Sequence, residues 1–226
     1  MILKEMRHMG SFGMSRSNVD ASVEVVARAW KQSPYYANAE KWTYIFWRPD
    51  TVFRKLFSKL NLVSVIELAC GHGRHAEQIA SECGSLILID VHVENIEVCK
   101  KRLSRNKNIT YIVNNGYNFD GISDSSTSAI FCYDAMVHFS PDLVECYLKE
   151  SSRVLIPGGM ALFHHSNYAA PLDRPYGANP HSRNHMTFEL FSKYADSAGL
   201  VVEESHPMSW GNEENLDRVT LLKKPY

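Results

Sequence analysis

Residues 64–76, read S-V-I-E-L-A-C-G-H-G-R-H-A, constrain this chain more than any other stretch. A short apolar run, Val65, Ile66 and Leu68, ends at a turn carrying Gly71 and Gly73. Ala76, Ile79 and Ala80 follow at helical spacing. A strand, a glycine turn and a helix in that order let the backbone approach a ligand closely. The helix start also points unpaired N–H groups at that ligand. Asp90 closes the next apolar run, residues 86–89. A carboxylate at that distance commonly accepts hydrogen bonds from ribose hydroxyls. The chain is therefore expected to hold a nucleotide-like ligand.

Gly71, Gly73 and Ala76 satisfy G-x-G-x-x-G/A, a pattern that also serves dinucleotides. Glu67 sits inside the strand end, before the first glycine. A negative charge there repels a pyrophosphate and suits a cationic amino-acid tail. E-L-A-C-G-H-G resembles motif I of the class I S-adenosylmethionine-dependent methyltransferases, usually E-x-G-x-G-x-G, with Ala69 in place of the first glycine. The resemblance covers about residues 50–226. It implies S-adenosyl-L-methionine as cofactor, whose ammonium and sulfonium are cationic and which carries no phosphate.

Strand-like and helix-like segments alternate along the chain, which argues for a parallel sheet with helices on both faces. Expected strands cover 86–90, 109–113, 129–132, 160–163, 200–206 and 218–223, with 157–159 as a turn. Expected helices cover 19–30, 93–103, 141–154 and 187–198, with one more starting at Pro49 and another running from the glycine turn to about Cys83. The last two strands have no helix between them and should pair antiparallel. The resemblance implies the same architecture: an α/β, Rossmann-like fold with a seven-stranded, mostly parallel sheet, helices on both faces and an antiparallel last strand. At 226 residues the chain suits a single domain, residues 21–226, after a flexible arm, residues 1–20. Residues 21–60 hold a helix and a cluster of aromatics, Tyr35, Tyr36, Trp42, Tyr44, Phe46 and Trp47. They read either as a lid over the cofactor or as packing against the sheet.

A net charge of −1 gives no general affinity for polyanions, so no nucleic-acid partner is expected. No stretch has the ~20 apolar residues of a membrane span, and no apolar run follows Lys4 and Arg7 to make a secretory signal. The five cysteines are an odd set without C-x-x-C, which suits buried thiols and a cytoplasmic location.

By the resemblance, Glu67, Ala69, Gly71 and Gly73 form the cofactor loop. Asp90 and Val91 meet the ribose and its surroundings. Asn115 and Gly116 stand where the family receives adenine, and Tyr133 and Asp134 where it lines the methionine half and the acceptor. Asn115 departs from the family's usual Asp but still offers an amide oxygen.

Methyl transfer to a hydroxyl needs alignment and a base, and histidine is the side chain suited to neutral pH. His138 follows the fourth expected strand, and His164 and His165 end the fifth. These three are the candidate catalytic residues, against the alternative that each is a packed core histidine. No metal is required, although Asp134 with His164 or His165 would suit a divalent ion. The polar loop 166–186, with Asn167, Tyr168, Asp173, Arg174, Tyr176, Asn179 and Arg183, is the expected acceptor loop. A small polar acceptor, such as a saccharide or another natural product, fits it. Amine, protein or nucleic-acid acceptors on the same fold stay open, as does a non-catalytic ligand-binding protein. A nicotinamide-dependent reductase is disfavoured by Glu67 and by the absence of Y-x-x-x-K. The oligomeric state is not legible.

Overall fold

The computed structural model describes residues 16–171, 174 and 176–226. Most of the expected arm, residues 1–15, lies outside the described residues, as does Asp173. Residues 16–20 belong instead to the first helix, α1 (Arg16–Trp30). Two short helices follow, α2 (Tyr35–Ala39) and α3 (Thr43–Phe46), then α4 (Val52–Phe57). α4 begins later than Pro49 suggested, because the Thr51 hydroxyl caps it by accepting the Arg54 amide at 3.2 Å.

Seven strands form one sheet in the order β3-β2-β1-β4-β5-β7-β6. Their ranges are β1 (Ser64–Leu68), β2 (Ser85–Asp90), β3 (Ile109–Val113), β4 (Thr127–Cys132), β5 (Leu155–Ser166), β6 (Val201–Trp210) and β7 (Glu213–Lys223). β1 to β5 run parallel, and β7 pairs antiparallel with both β5 and β6. The crossover helices are α5 (Ala76–Ile79), α6 (Val93–Arg102) and α7 (Pro141–Val154), and α8 (Phe188–Ser197) leads into β6. α5 is far shorter than its sequence spacing suggests.

The sheet alternates its faces in the manner of any strand. Val65 faces a core shared with α4, α5 and α6, whereas Ile66 and Leu68 face one shared with α7 and α8. β4 is buried along its whole length, as a central parallel strand should be.

Two expectations fail at β5 and at the chain's end. Residues 157–159 are not a turn. They lie within β5, where the register jumps from Thr127↔Leu155 to Ala129↔Met160 and the extra residues bulge out of the pairing. Lys224 ties the bulge down, since its carbonyl accepts the Gly158 amide at 2.8 Å and its own amide donates to Gly159 at 2.9 Å. Residues 207–217, left between the last two expected strands, are absorbed into a long hairpin that turns between Trp210 and Glu213 at Gly211, whose φ is +59°. No helix among the described residues is long and apolar enough to cross a membrane.

Candidate functional site

The strand order reverses between β1 and β4, and a cleft opens there above the carboxyl ends of the strands. Counted with its open mouth, it encloses about 950 Å³. α1 and α2 roof it. Val23 of α1 overlies Gly116, while Trp30, at the other end of α1, lies against His138 with ring centroids 4.4 Å apart. Tyr35 and Tyr36 line the cleft, and Phe46 and Trp47 pack against the core.

The floor is the glycine loop. Ala69 has φ +55°, so the position where the motif usually carries glycine is left-handed here too, at about 1–2 kcal/mol for the methyl group. Gly71 has φ +54°, and a Cβ on it would lie 3.0 Å from the Tyr36 ring. Asp90 holds this loop. Its Oδ2 accepts the Gly71 amide at 2.9 Å, and its Oδ1 accepts the His92 amide at 2.9 Å and the Asn95 side chain at 3.1 Å. Burial raises the Asp90 carboxyl above the usual range, and these donors pull it back. Gly73 lies off the cleft, where a Cβ would meet Cys99 Sγ at 3.0 Å.

Glu67 does not line the cleft either. It shares the Val65 face of β1, beneath the loop, and its Oε2 has no hydrogen-bond partner among the described residues. Burial pushes its carboxyl up to about 8, so at neutral pH it is mostly protonated and projects little negative charge.

Asp90, Val91, Ala69, Gly71, Gly116, Tyr133 and Asp134 are brought together at the cleft. Asn115 is not. It is exposed, and its Oδ1 accepts the Tyr117 and Asn118 amides at 3.2 Å in a local turn. Asn114 takes the cleft position instead. Its amide continues the sheet ladder to the Asp90 carbonyl at 3.0 Å, and its side chain donates to Tyr147 Oη at 3.0 Å. Asn114 and Asn115 are adjacent, and the sheet ladder decides which of them reaches the cleft.

Asp134 is left-handed, with φ +60°. Its carboxylate pairs with Arg74 at 2.7 Å and accepts the Tyr35 hydroxyl. Arg74 also donates to the Ala39 carbonyl at 3.1 Å, tying floor to roof. Arg74 was missed by the sequence reading, and Tyr35 was named only among the aromatics of residues 21–60. Arg74 stood inside the quoted motif, but nothing in its spacing announced its partner.

The three candidate histidines separate sharply. His138 ends a short 3₁₀ turn, Met136–His138, and lines the cleft. Its Nδ1 lies 2.9 Å from the Ser182 carbonyl, which can only accept. Nδ1 therefore carries the proton and the lone pair sits on Nε2. Burial lowers its pKa to about 4.

His164 and His165 do not line the cleft, because β5 continues to Ser166 and carries both inside the sheet on opposite faces. His164 accepts the Asp134 amide at Nδ1 (3.1 Å) and donates from Nε2 to Asp217 (3.1 Å), with both nitrogens used. His165 stacks on Phe191 at 3.7 Å and donates from Nδ1 to the Ser166 carbonyl at 2.8 Å. Its Nε2 accepts from Thr220 at 2.9 Å, and burial drops its pKa to about 3. Neither is placed to take a proton from a substrate or to ligate an ion. No group of three or more His, Cys, Asp or Glu among the described residues is gathered as metal ligands. The described part of loop 166–186 contributes no side chain to the cleft. All five cysteines are free thiols.

Residues 65–159 match the family model of a methyltransferase domain. No curated protein matches the chain. Among solved structures, the chain resembles one in the complex between the Haloferax volcanii Trm112 methyltransferase activator and its methyltransferase. The TM-score is 0.65 at 14% identity, over 88% of this chain and 97% of that one. An S-adenosylmethionine-dependent methyltransferase from Clostridium acetobutylicum gives 0.64 at 14% identity, over 86% and 100%. One from Methanosarcina mazei gives 0.63 at 16% identity, over 77% and 98%.

Proposed function

We propose that this chain, whose fold and matched domain are those of the class I S-adenosylmethionine-dependent methyltransferases, methylates a hydroxyl of a small acceptor, with His138 taking the proton. S-adenosylmethionine is the cofactor that this domain and fold imply. The cleft fits it. Gly71 and Gly116 leave room where a Cβ would strike Tyr36 or Val23, and two residues of opposite charge, Asp134 and Arg74, flank one end. When bound, the cofactor supplies an electrophilic methyl group on a sulfonium.

Each chain residue then has a separable part. Asp90 offers a carboxylate to ribose hydroxyls while it holds the loop. Val91, Asn114 and Gly116 form the adenine end. Arg74 suits the amino-acid carboxylate and Asp134 the ammonium. His138 is uncharged at neutral pH, with its lone pair on Nε2, which is the state a general base needs. The Ser182 carbonyl 2.9 Å from His138 Nδ1, at the wall of the cleft, is the observation that carries the reading.

The acceptor wall is aromatic: Trp30, Tyr35 and Phe139. A planar or apolar body bearing a hydroxyl suits it better than a saccharide, since the polar loop invoked for a sugar lies elsewhere. Trp30 and Tyr35 beside the Asp134 carboxylate also suit a cationic amine, which is the second reading. Incubation with labelled S-adenosylmethionine and pooled phenols, amines and sugars, with and without chelator, separates these. Label on a phenolic or alcoholic oxygen is expected. Absence of heat on titrating S-adenosylhomocysteine would sink the whole assignment.

A further inference from the structure

The loop between β5 and α8 is anchored in the core by a charged side chain. Arg183 is among the largest fully buried residues of the fold. Its guanidinium forks onto Asp217 of β7, with Nε to Oδ1 at 2.9 Å and Nη2 to Oδ2 at 2.6 Å, and lies 4.9 Å from the Trp210 ring centroid. A buried ion pair of this kind is a weak source of stability, because desolvation offsets its attraction. Its geometry, however, is strict: a fork admits one placement of the chain that bears it.

That placement serves His138. The two residues before Arg183 are both left-handed without being glycine, His181 at φ +46° and Ser182 at φ +54°. Such residues persist only where their surroundings over-determine them. Here Arg183 Nη1 donates to the His181 carbonyl at 3.2 Å, Asn179 Nδ2 donates to the Arg183 carbonyl at 2.8 Å, and the Ser182 amide donates to the Asn179 carbonyl at 3.0 Å. The bend directs the Ser182 carbonyl at His138 Nδ1, 2.9 Å away. The next residue secures the backbone: the Asn184 amide donates to the Val137 carbonyl at 3.0 Å and its side chain to the His138 carbonyl at 3.2 Å.

We propose that Arg183 is a positioning residue: docked on Asp217, it sets the Ser182 carbonyl against His138 Nδ1 and so decides which ring nitrogen carries the proton. The functional consequence rests on the reading of His138 as the base. The tautomer itself is measurable without any turnover. A carbonyl that can only accept makes the Nδ1–H form the bound one, with the lone pair on Nε2.

The test is the ¹⁵N spectrum of His138 in the full chain, read beside kinetics. Wild type is expected to show a protonated Nδ1 and a pyridine-like Nε2. Arg183→Gln, which cannot fork, is expected to draw both nitrogens toward a tautomer mixture. It should lower kcat about tenfold, while the affinity for S-adenosylhomocysteine is unchanged. Arg183→Lys, with a single charged donor, falls between. If Arg183→Gln does not fold, the double variant Arg183→Met with Asp217→Asn removes the charges together and keeps an acceptor for His164. The same spectral change is expected. A purely structural Arg183 would lower the melting temperature and leave the His138 nitrogens where they were, which overturns the proposal. His138→Ala with undiminished turnover overturns the base reading instead, and the nitrogen spectra still judge the positioning.

Discussion

The Asp90 carboxylate accepts the backbone N–H of Gly71 at 2.9 Å, so the end of β2 holds the bend that follows β1. The same side chain takes two more donors, from His92 and Asn95. Removing it leaves the loop amide unpaired and takes away the proposed ribose acceptor together. Hydrogen bonds to a charged group contribute about 1.5–3 kcal/mol each. Asp90→Ala should therefore weaken S-adenosylhomocysteine binding by at least about tenfold, beyond the range of a calorimetric titration that the wild type gives cleanly. Asp90→Asn, which keeps one acceptor for Gly71, should lose less.

The Tyr35 hydroxyl donates to Asp134, latching α2 onto the turn after β4. Burial, and then the adjacent carboxylate, raise the phenol's pKa, so it stays a donor across the working range. Tyr35→Phe keeps the ring against Trp30 and loses the latch. Its expected signature is a faster release of S-adenosylhomocysteine, about tenfold for ~1.4 kcal/mol, with little change in the association rate. Stopped-flow fluorescence, with Trp30 nearby as a reporter, measures both.

His138 has its pKa lowered to about 4, first by burial and then by the Arg183 charge. As the proposed base it is already deprotonated at neutral pH. Turnover should be flat through neutrality and fall with unit slope only near pH 4. His138→Ala should lower kcat by about 10²–10⁴-fold and leave S-adenosylhomocysteine affinity intact. Unchanged kcat would remove it from the mechanism.

The same depression links to folding. The unfolded chain binds a proton at His138 and at His165 below the ordinary histidine value of 6.5, whereas the folded chain resists it until about 4 and about 3. Their contribution is whole above pH 6.5 and is lost as pH falls through those folded values. Thermal melts between pH 7 and pH 4 should show the decline, and His165→Phe, an apolar ring for the stack on Phe191, should blunt it.

Glu67 behaves in the opposite sense. Burial raises its carboxyl from 4.5 to about 8. Its folded form keeps the proton, so the contribution is whole below pH 4.5 and is lost as pH rises through about 8. Glu67→Gln, neutral at every pH, should match wild type in acid and exceed it in alkali. The gain should widen steadily from pH 5 to pH 8, read as a growing difference in Tm between the two proteins. A wild-type advantage at pH 8 would mean that the ionised carboxylate is the folded form.

The motif around Gly71 was legible because its constraint is local: a glycine-rich bend lets a backbone turn left-handed between a strand and a helix at little steric cost. The run of strands and helices, the reversed end of the sheet and Asp90 at the end of β2 follow from periodicity in the same way. Asn115 shows where local reading stops. Two adjacent asparagines carry the same chemistry, and the one in the cleft is the one whose amide extends the ladder to Asp90. His164 and His165 show it again, since adjacent strand residues face opposite ways and a strand reaching Ser166 buries both.

By itself, then, the sequence determined the α/β layering, the glycine floor and the acidic residue beneath it, each set by backbone sterics or by apolar periodicity over a few residues. Only the tertiary structure decided which histidine stands at the cleft. It alone also decided that Arg74 meets Asp134 and that Arg183 is folded into the core against Asp217. Those pairings join segments dozens of residues apart. What selects them is the burial of charge, which no spacing along the chain records.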